Sequence, residues 1–324
     1  MVSFSGGMDS SFVLAIAAHI ARAAGLPAPI PITWRFTGAP LADESGWQEK
    51  VIASLAITEW EHLHADDDLD LIGPVAQRIL TRYGVLSPFN VHLHLPILDK
   101  ASGGSLLTGL GGDQVLSRWR PPRPRTLSGT VRRLAPGHLV AAVKQHNQHI
   151  YPWLQPAAAR QVLREHRSET HAEPRIIARR MAWNAGSRTV QMACSSLHAI
   201  ADEHNVRVIH PLLDQGFLAS LREHAAKVGS RTRAELMLDI AGDTLPPASI
   251  AFRPKAHFLE VFLREPTHGF VRSWDGRGAD VNVVNVAALQ QLWQRWPIPP
   301  GTAGLVQQLW LASRLLSPSM ISIG

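Results

Sequence analysis

The chain has 324 residues, of which 45 % are hydrophobic and 18 % charged. That is enough for one large α/β domain or two modest ones, and too apolar for global disorder. Lys and Arg number 32 against 26 Asp and Glu, a net charge of +6 that suits phosphate-bearing or acidic partners without identifying one. The single cysteine, Cys194, excludes a disulfide framework and a cysteine-rich zinc or iron–sulfur site. No run of about 18 uncharged apolar residues marks a membrane span, and no basic–apolar–small pattern marks a signal peptide. A cytoplasmic protein is expected, with no membrane partner.

In chain order, Met1–Phe4 reads as a strand, Ser5–Ser11 as a glycine turn and Phe12–Ala24 as a helix, with Phe12, Val13, Ile16, Ile20 and Ala21 at helical spacing. Gly25-Leu-Pro stops that helix. Ile30–Phe36 reads as a second strand. Glu44–Ser54 reads as a helix with Trp47, Val51 and Leu55 on one face, Glu59–Leu63 as a third strand and Leu71–Tyr83 as another helix. Ser105–Gly109 reads as a buried strand ending on a second glycine turn, Gly109–Gly112. Strands alternating with helices across short turns predict an α/β fold with a doubly wound parallel sheet. Arg118–Arg125 (RWRPPRPR) cannot form a regular helix or central strand, so a mobile loop is expected there. From about Leu139 onward the pattern is helical: Ala157–Arg167, Ile176–His204, Gly216–Ala226, Arg233–Ala241 and Val286–Trp296, with few strand signals. A boundary near residues 120–135 divides an α/β core, 1–125, from a mostly helical portion, 126–324.

The first glycine turn carries chemistry. Gly6 and Gly7 let backbone amides approach an anion. A helix N-terminus adds unpaired N–H groups and partial positive charge, and Ser5, Ser10 and Ser11 add hydroxyls. Asp9 would repel an anion unless a cation bridges the two, which points to Mg²⁺. The turn lacks the Gly-Lys-Ser/Thr of a Walker loop. Its local pattern is equally that of an N-cap turn whose Ser and Asp satisfy helix donors.

Ser5-Gly-Gly-Met-Asp-Ser10 resembles the pyrophosphate loop of the ATP pyrophosphatases. Leu106-Leu-Thr-Gly-Leu-Gly-Gly-Asp-Gln114 resembles the second loop of the asparagine synthetase superfamily. Two further segments follow in that family's order: Arg207–Asp214 (RVIHPLLD), then Leu245-Pro with Ile250, Arg253, Lys255 and Phe258. The resemblance spans residues 3–258. It implies an adenine-nucleotide α-hydrolase-like core and an AMP-forming amide ligase: a carboxylate attacks the α-phosphate of ATP, pyrophosphate leaves, and an amine attacks the acyl-adenylate. It implies that ATP is bound by Ser5, Gly6, Gly7, Asp9, Ser10, Gly111 and Gly112. Asp9 and Asp113 would hold Mg²⁺, Lys255 would stabilise charge in acyl transfer, Arg253 would either help on the phosphates or be structural, and strand 30–36 would meet adenine.

Three departures qualify the resemblance. Leu110 stands where the synthetases carry Glu and the β-lactam synthetases Tyr, and leucine can neither accept nor donate a proton. Gln114 replaces a common Glu. The glutaminase domain with its N-terminal cysteine nucleophile has no counterpart, since Val2 follows Met1 and Cys194 reads as helix packing. Only four residues precede the first loop, fewer than the roughly five of an ordinary strand, so a truncated start, or an N-terminal domain on another chain, is expected.

These features favour natural-product or peptide biosynthesis, of the kind performed by β-lactam synthetases and lasso-peptide cyclases, on a small-molecule or peptide carboxylate whose amine is already in the substrate. Transfer of ammonia from a separate glutaminase-like partner, a peptide-recognition partner, a tRNA-modifying pyrophosphatase and a non-catalytic scaffold all stay open. Nucleic acid is not the expected partner. The pairs His62/His64 and His92/His94 fit one side of a strand and read as ordinary surface or hydrogen-bonded histidines. Trp293, Trp296 and Trp310 are placed in C-terminal helices, to pack or to meet a partner. The Arg-rich loop 118–125 suits either phosphate contact or an active-site lid.

Overall fold

The computed structural model describes residues 1–65, 67–116, 151–174, 176–228, 232–251 and 256–316. The N-terminal elements follow the expected alternation: β1 (Val2–Ser3), α1 (Met8–Ala23), β2 (Pro31–Phe36), α2 (Ser45–Ser54), β3 (Glu61–Ala65), α3 (Pro74–Tyr83), α4 (Leu95–Ala101), β4 (Ser105–Leu107) and α5 (Gly112–Val115). Further along lie α6 (Ile177–Ala185), α7 (Arg188–Glu203), β5 (Arg207–Ile209), α8 (Gln215–Val228) and α9 (Arg233–Ala241). The single helix expected over 176–204 is two, parted at Gly186 and Ser187.

The five strands form one sheet in the order β3-β2-β1-β4-β5. All pairs are parallel, with Val2 opposite both Pro31 and Leu107, and Ser105 opposite Arg207. Strand β5 corrects the helical reading of the second half. A three-residue strand carries too little alternation to register as a period, and its pairing with β4 is a long-range contact. The two-residue β1 is central because both neighbours bond it: Val2 N–H donates to Ile30 O at 2.9 Å and Leu107 N–H to Met1 O at 3.0 Å.

Adjacent strand residues point to opposite faces, and the core divides accordingly. On one face Val2 and Phe4 pack with Val13 and Leu14 of α1, Val51 of α2, Met181 of α6 and Leu236 of α9. On the other, Ile32 and Leu106 pack with Leu95 and Leu98 of α4 and Leu197 and Ile200 of α7. Helices on both faces of a parallel sheet make the fold doubly wound. In α1, Phe12, Val13 and Ala21 are buried as the spacing requires, but Ile20 is 58 % exposed: an interrupted apolar stripe is all this helix needs against the sheet.

By packing, the chain forms two compact units, Met1–Pro121 with Ile176–Arg264, and Pro122–Arg175 with Glu265–Gly324. The first unit is thus discontinuous in sequence, with Ile176–Arg264 returning to it. Residues 176–264, read as part of the helical portion, complete the first core through Met181, Leu212, Leu236 and Met237. In the second unit, helices Pro156–Ala172, Glu265–Ser273, Val286–Trp293 and Ala303–Leu315 include the almost fully buried Trp293, whose Nε1–H donates to Thr302 Oγ1 at 3.1 Å. Trp310 lies in the last of these helices, whereas the helix expected over Val286–Trp296 ends at Trp293, leaving Trp296 outside it and exposed.

Candidate active site

In a doubly wound sheet, the loops that leave two neighbouring strands in opposite directions open a crevice at the strands' carboxyl ends. Here those strands are β1 and β4. Their following loops, Phe4–Gly7 and Thr108–Gly111, are the two glycine turns singled out above. They meet. A Cβ on Gly109 would lie 2.8 Å from the Ser10 amide nitrogen, and one on Gly112 would collide with the Asp9 carboxyl group. Gly111 has φ +93° and backs onto Leu213, so both its conformation and its space demand glycine.

The first loop is braced from within. Ser10 Oγ accepts from Ser5 N–H at 3.2 Å and donates to Gly7 O at 3.1 Å; Ser5 Oγ accepts from Gly7 N–H at 3.1 Å. Ser11 Oγ donates to Gly6 O at 3.2 Å. Gly6, at φ +87°, turns the chain over buried Gln48, whose Nε2 donates to Ser5 O at 2.8 Å and whose Oε1 accepts from Arg35. This corrects the bland N-cap alternative: Gly7 is the N-cap of α1 with no side-chain cap, and the serines bond loop carbonyls and one another. The loop is held in shape while the first amides of α1, which no helix carbonyl serves, stay with the crevice.

Asp9 in the first turn of α1 and Asp113 in the first turn of α5 face one guanidinium, that of Arg233. Arg233 is paired with Asp9, and its Nη1 lies 2.6 Å from Asp113 Oδ1. Burial works against the Arg233 charge, but the hydrogen bond to Asp9 and the charges of both aspartates overcome it and raise its pKa. Two carboxylates from separate loops converging on one cation is the arrangement a bridging Mg²⁺ needs, so the donor set fits that ion. Arg233 opens α9, where Thr232 and Glu235 form a capping box. The sequence reading recognised the helix and not the residue. The missed signal was an arginine in a first turn, where the helix dipole disfavours a cation unless carboxylates wait opposite it.

The cleft around these groups has a volume of about 800 Å³. Ser5, Gly7, Asp9, Ser10 and Asp113 line it, as do Thr232 and Arg233. A smaller pocket of about 200 Å³ adjoins it, sharing Ser3, Ser5, Glu44 and Phe258. Its walls are aromatic: Trp34 and Phe36 alternate on one face of β2 and stack at 6.2 Å, and Phe258 meets Phe36 edge-on at 5.9 Å. Beyond the glycines and aspartates the cleft is walled by Pro88, Val91, His94, Ala193 and Leu197, with Leu110 of the second loop beside them. His94 and His92 sit not on a strand but in the 3₁₀ turn Val91–His94. His92 is buried with its Nε2 2.9 Å from Leu69 O, whereas His94 reaches the cleft. Beside Leu110, Thr108 Oγ1 lies 2.7 Å from His210 Nδ1.

Of the expected site residues, Ser5, Gly6, Gly7, Asp9, Ser10, Gly111, Gly112 and Asp113 are brought together. Gln114 lies on α5 behind the loop, its carbonyl accepting from Asn184 Nδ2 at 3.2 Å. Arg253 and Lys255, like the loop 118–125, lie outside the described residues. Cys194, on α7, is half-buried, and burial raises its thiol pKa. Among the described residues no helix is long and apolar enough to cross a membrane. A search of the curated proteins finds no match. The family model described as asparagine synthase matches residues 2–317, and the chain therefore belongs to the asparagine synthase family, ATP-dependent synthetases that form amide bonds.

Proposed function

We propose that this protein is an AMP-forming amide ligase of natural-product or peptide biosynthesis. One observation carries the reading: two glycine loops at the switch point of a parallel sheet bring Asp9 and Asp113 onto a single cation. The aromatic pocket beside Ser5 takes the adenine, with Trp34 and Phe36 offering a stacking face. The amides of the first loop and of the α1 N-terminus take the β- and γ-phosphates, and Arg233 adds positive charge where pyrophosphate departs. Asp9 and Asp113 hold Mg²⁺, which supplies charge neutralisation of the phosphates when bound. The substrate carboxylate attacks the α-phosphorus, the P–O bond to pyrophosphate breaks, and an amine then displaces AMP from the acyl-adenylate. Lys255 is assigned the charge developing in that second step.

The far end of the cleft favours a substrate with an uncharged body. Among the described residues it presents Pro88, Val91, Leu110, Ala193 and Leu197 with one imidazole, and no charged pair to grip a free zwitterionic amino acid. That is the support for peptide or natural-product chemistry over asparagine formation.

Calorimetric titration with ATP, with and without Mg²⁺, beside Asp9→Ala and Asp113→Ala, tests the reading. Mg²⁺-dependent binding weakened at least about tenfold (about 1.4 kcal/mol) by each change is expected. Binding indifferent to both carboxylates would remove the proposed site.

A further inference from the structure

Amide formation leaves a proton to place. The amine nitrogen bonds the carbonyl carbon, the bond from that carbon to the AMP oxygen breaks, AMP departs with the electron pair, and one N–H proton must go to a base. Leu110 cannot be that base. Of the described residues lining the cleft, Asp9, Glu44, Asp113 and His94 have side chains that accept protons at neutral pH. Asp9 and Asp113 are engaged with Arg233. Glu44 lies at the end shared with the aromatic pocket.

We infer that His94 accepts the proton of the attacking amine, the role Leu110 cannot fill. The inference rests on the ligase reading. Its geometry is specific as to tautomer. His94 Nδ1 lies 3.3 Å from Val91 O, and a carbonyl only accepts, so Nδ1 carries the hydrogen and Nε2 keeps its lone pair. Nε2 has no hydrogen-bond partner among the described residues. The position is on the acceptor side: His94 is near enough to His210 to act on its charge, and His210 is bonded to Thr108, whose Oγ1 also accepts the Leu110 N–H at 3.3 Å.

The surroundings keep the ring neutral. The charged partners near it are imidazoles: His92 from its own turn acts on it, and His94 in turn acts on His210 from the segment after β5, against which His198 of α7 lies tilted at 5.1 Å between centroids. Burial pushes the His94 pKa down to about 4, helped by His92 and opposed by the bond to Val91. A polyanionic nucleotide in the same cleft works in the opposite direction, moving the base toward the operating pH.

Two experiments decide the assignment. Imidazole ¹⁵N spectra of the full chain at pH 7, with the His94 signals assigned by their loss in His94→Asn and His94→Gln, are expected to show a neutral ring protonated on Nδ1. A cationic ring, or a proton on Nε2, overturns the inference without any substrate. ATP–pyrophosphate exchange is then measured with hexanoate, 3-phenylpropanoate and L-aspartate, and amide formation with methylamine. Asparagine at position 94 can still donate to Val91 but offers no basic nitrogen. His94→Asn is expected to leave exchange within about threefold of wild type and to slow amide formation by about 10²- to 10⁴-fold. Undiminished amide formation with intact exchange overturns the His94 assignment and leaves the ligase reading standing. Exchange with none of the three acids counts against the ligase reading, and the assignment falls with it.

Discussion

The two ends of the cleft are built by different means. At the phosphate end the working parts are backbone amides and short side chains, held by hydrogen bonds within one loop and by glycines that allow two loops to touch. At the acceptor end, Pro88, His94 and Leu197 come from three separate segments and meet one another, and Leu110 of the second loop, through the packing of α4 and α7 on the sheet. The first end takes most of its shape from bonds within its own loop. The second depends on tertiary packing, and its chemistry changes with single side chains, as Leu110 shows.

The sharpest way to break the contrast is to spoil the contact between the loops. In Gly112→Ala the new methyl would collide with the Asp9 carboxyl group, which must leave its pairing with Arg233 to make room. ATP affinity is expected to fall at least about 10²-fold, or about 2.7 kcal/mol, by calorimetry. Gly46→Ala is the control, because a Cβ there meets nothing within 4 Å; equal losses in the two variants would refute the account of the loop contact.

Next in size is Arg233→Gln. Removing the cation between Asp9 and Asp113 leaves two carboxylates facing each other, which favours a divalent ion. Mn²⁺ binding in the absence of nucleotide, followed by its electron paramagnetic resonance signal, should tighten about five- to tenfold, a change of about 1 kcal/mol. Unchanged affinity would mean that Arg233 does not occupy the cation position. A smaller effect is expected of Phe36→Ala. Loss of aromatic contact costs about 0.5–1.5 kcal/mol, so ATP binding should weaken a few-fold while inorganic pyrophosphate binding holds. Equal weakening of both ligands would place the adenine elsewhere.

The same contrast decides what the sequence could reveal. The phosphate end is contiguous, so Ser5–Ser10 and Gly109–Asp113 were legible as strings, and the alternation of strand and helix through β4 was legible as a period. Arg233 was not, because its meaning lies in two aspartates more than a hundred residues away. Strand β5 was not, because three residues show no period and only β4 makes them a strand. His94 was grouped with His92 as one face of a strand, whereas the 3₁₀ turn that carries them sends one inward to Leu69 and the other to the cleft. The return of 176–264 to the first unit was hidden for the same reason: helical spacing tells that a face is apolar, not which core it will join.

The histidines at the acceptor end also set how the fold responds to acid. Burial, followed by the charges of His198 and His94, lowers the His210 pKa to about 4, from an ordinary value of 6.5. The unfolded chain therefore binds a proton at this position across the window from pH 6.5 down to about 4, where the folded chain does not. Stability is fully present above that window, falls as pH descends through it, and levels off below about 4. Lowered carboxylates such as Asp43, held down by its hydrogen bonds to Ser45, lose their contribution only below their ordinary pKa near 3.8, so the two effects separate along the pH axis. Urea midpoints of wild type and His210→Gln compared at pH 7 and pH 5 isolate the histidine. Losing the Thr108 bond lowers both midpoints of the variant alike, whereas the drop between pH 7 and pH 5 should shrink only because position 210 no longer titrates. A variant with the same drop as wild type would mean that His210 is not held neutral by the packing around it, and that the acceptor end admits more water than the arrangement of Thr108, His198 and His94 implies.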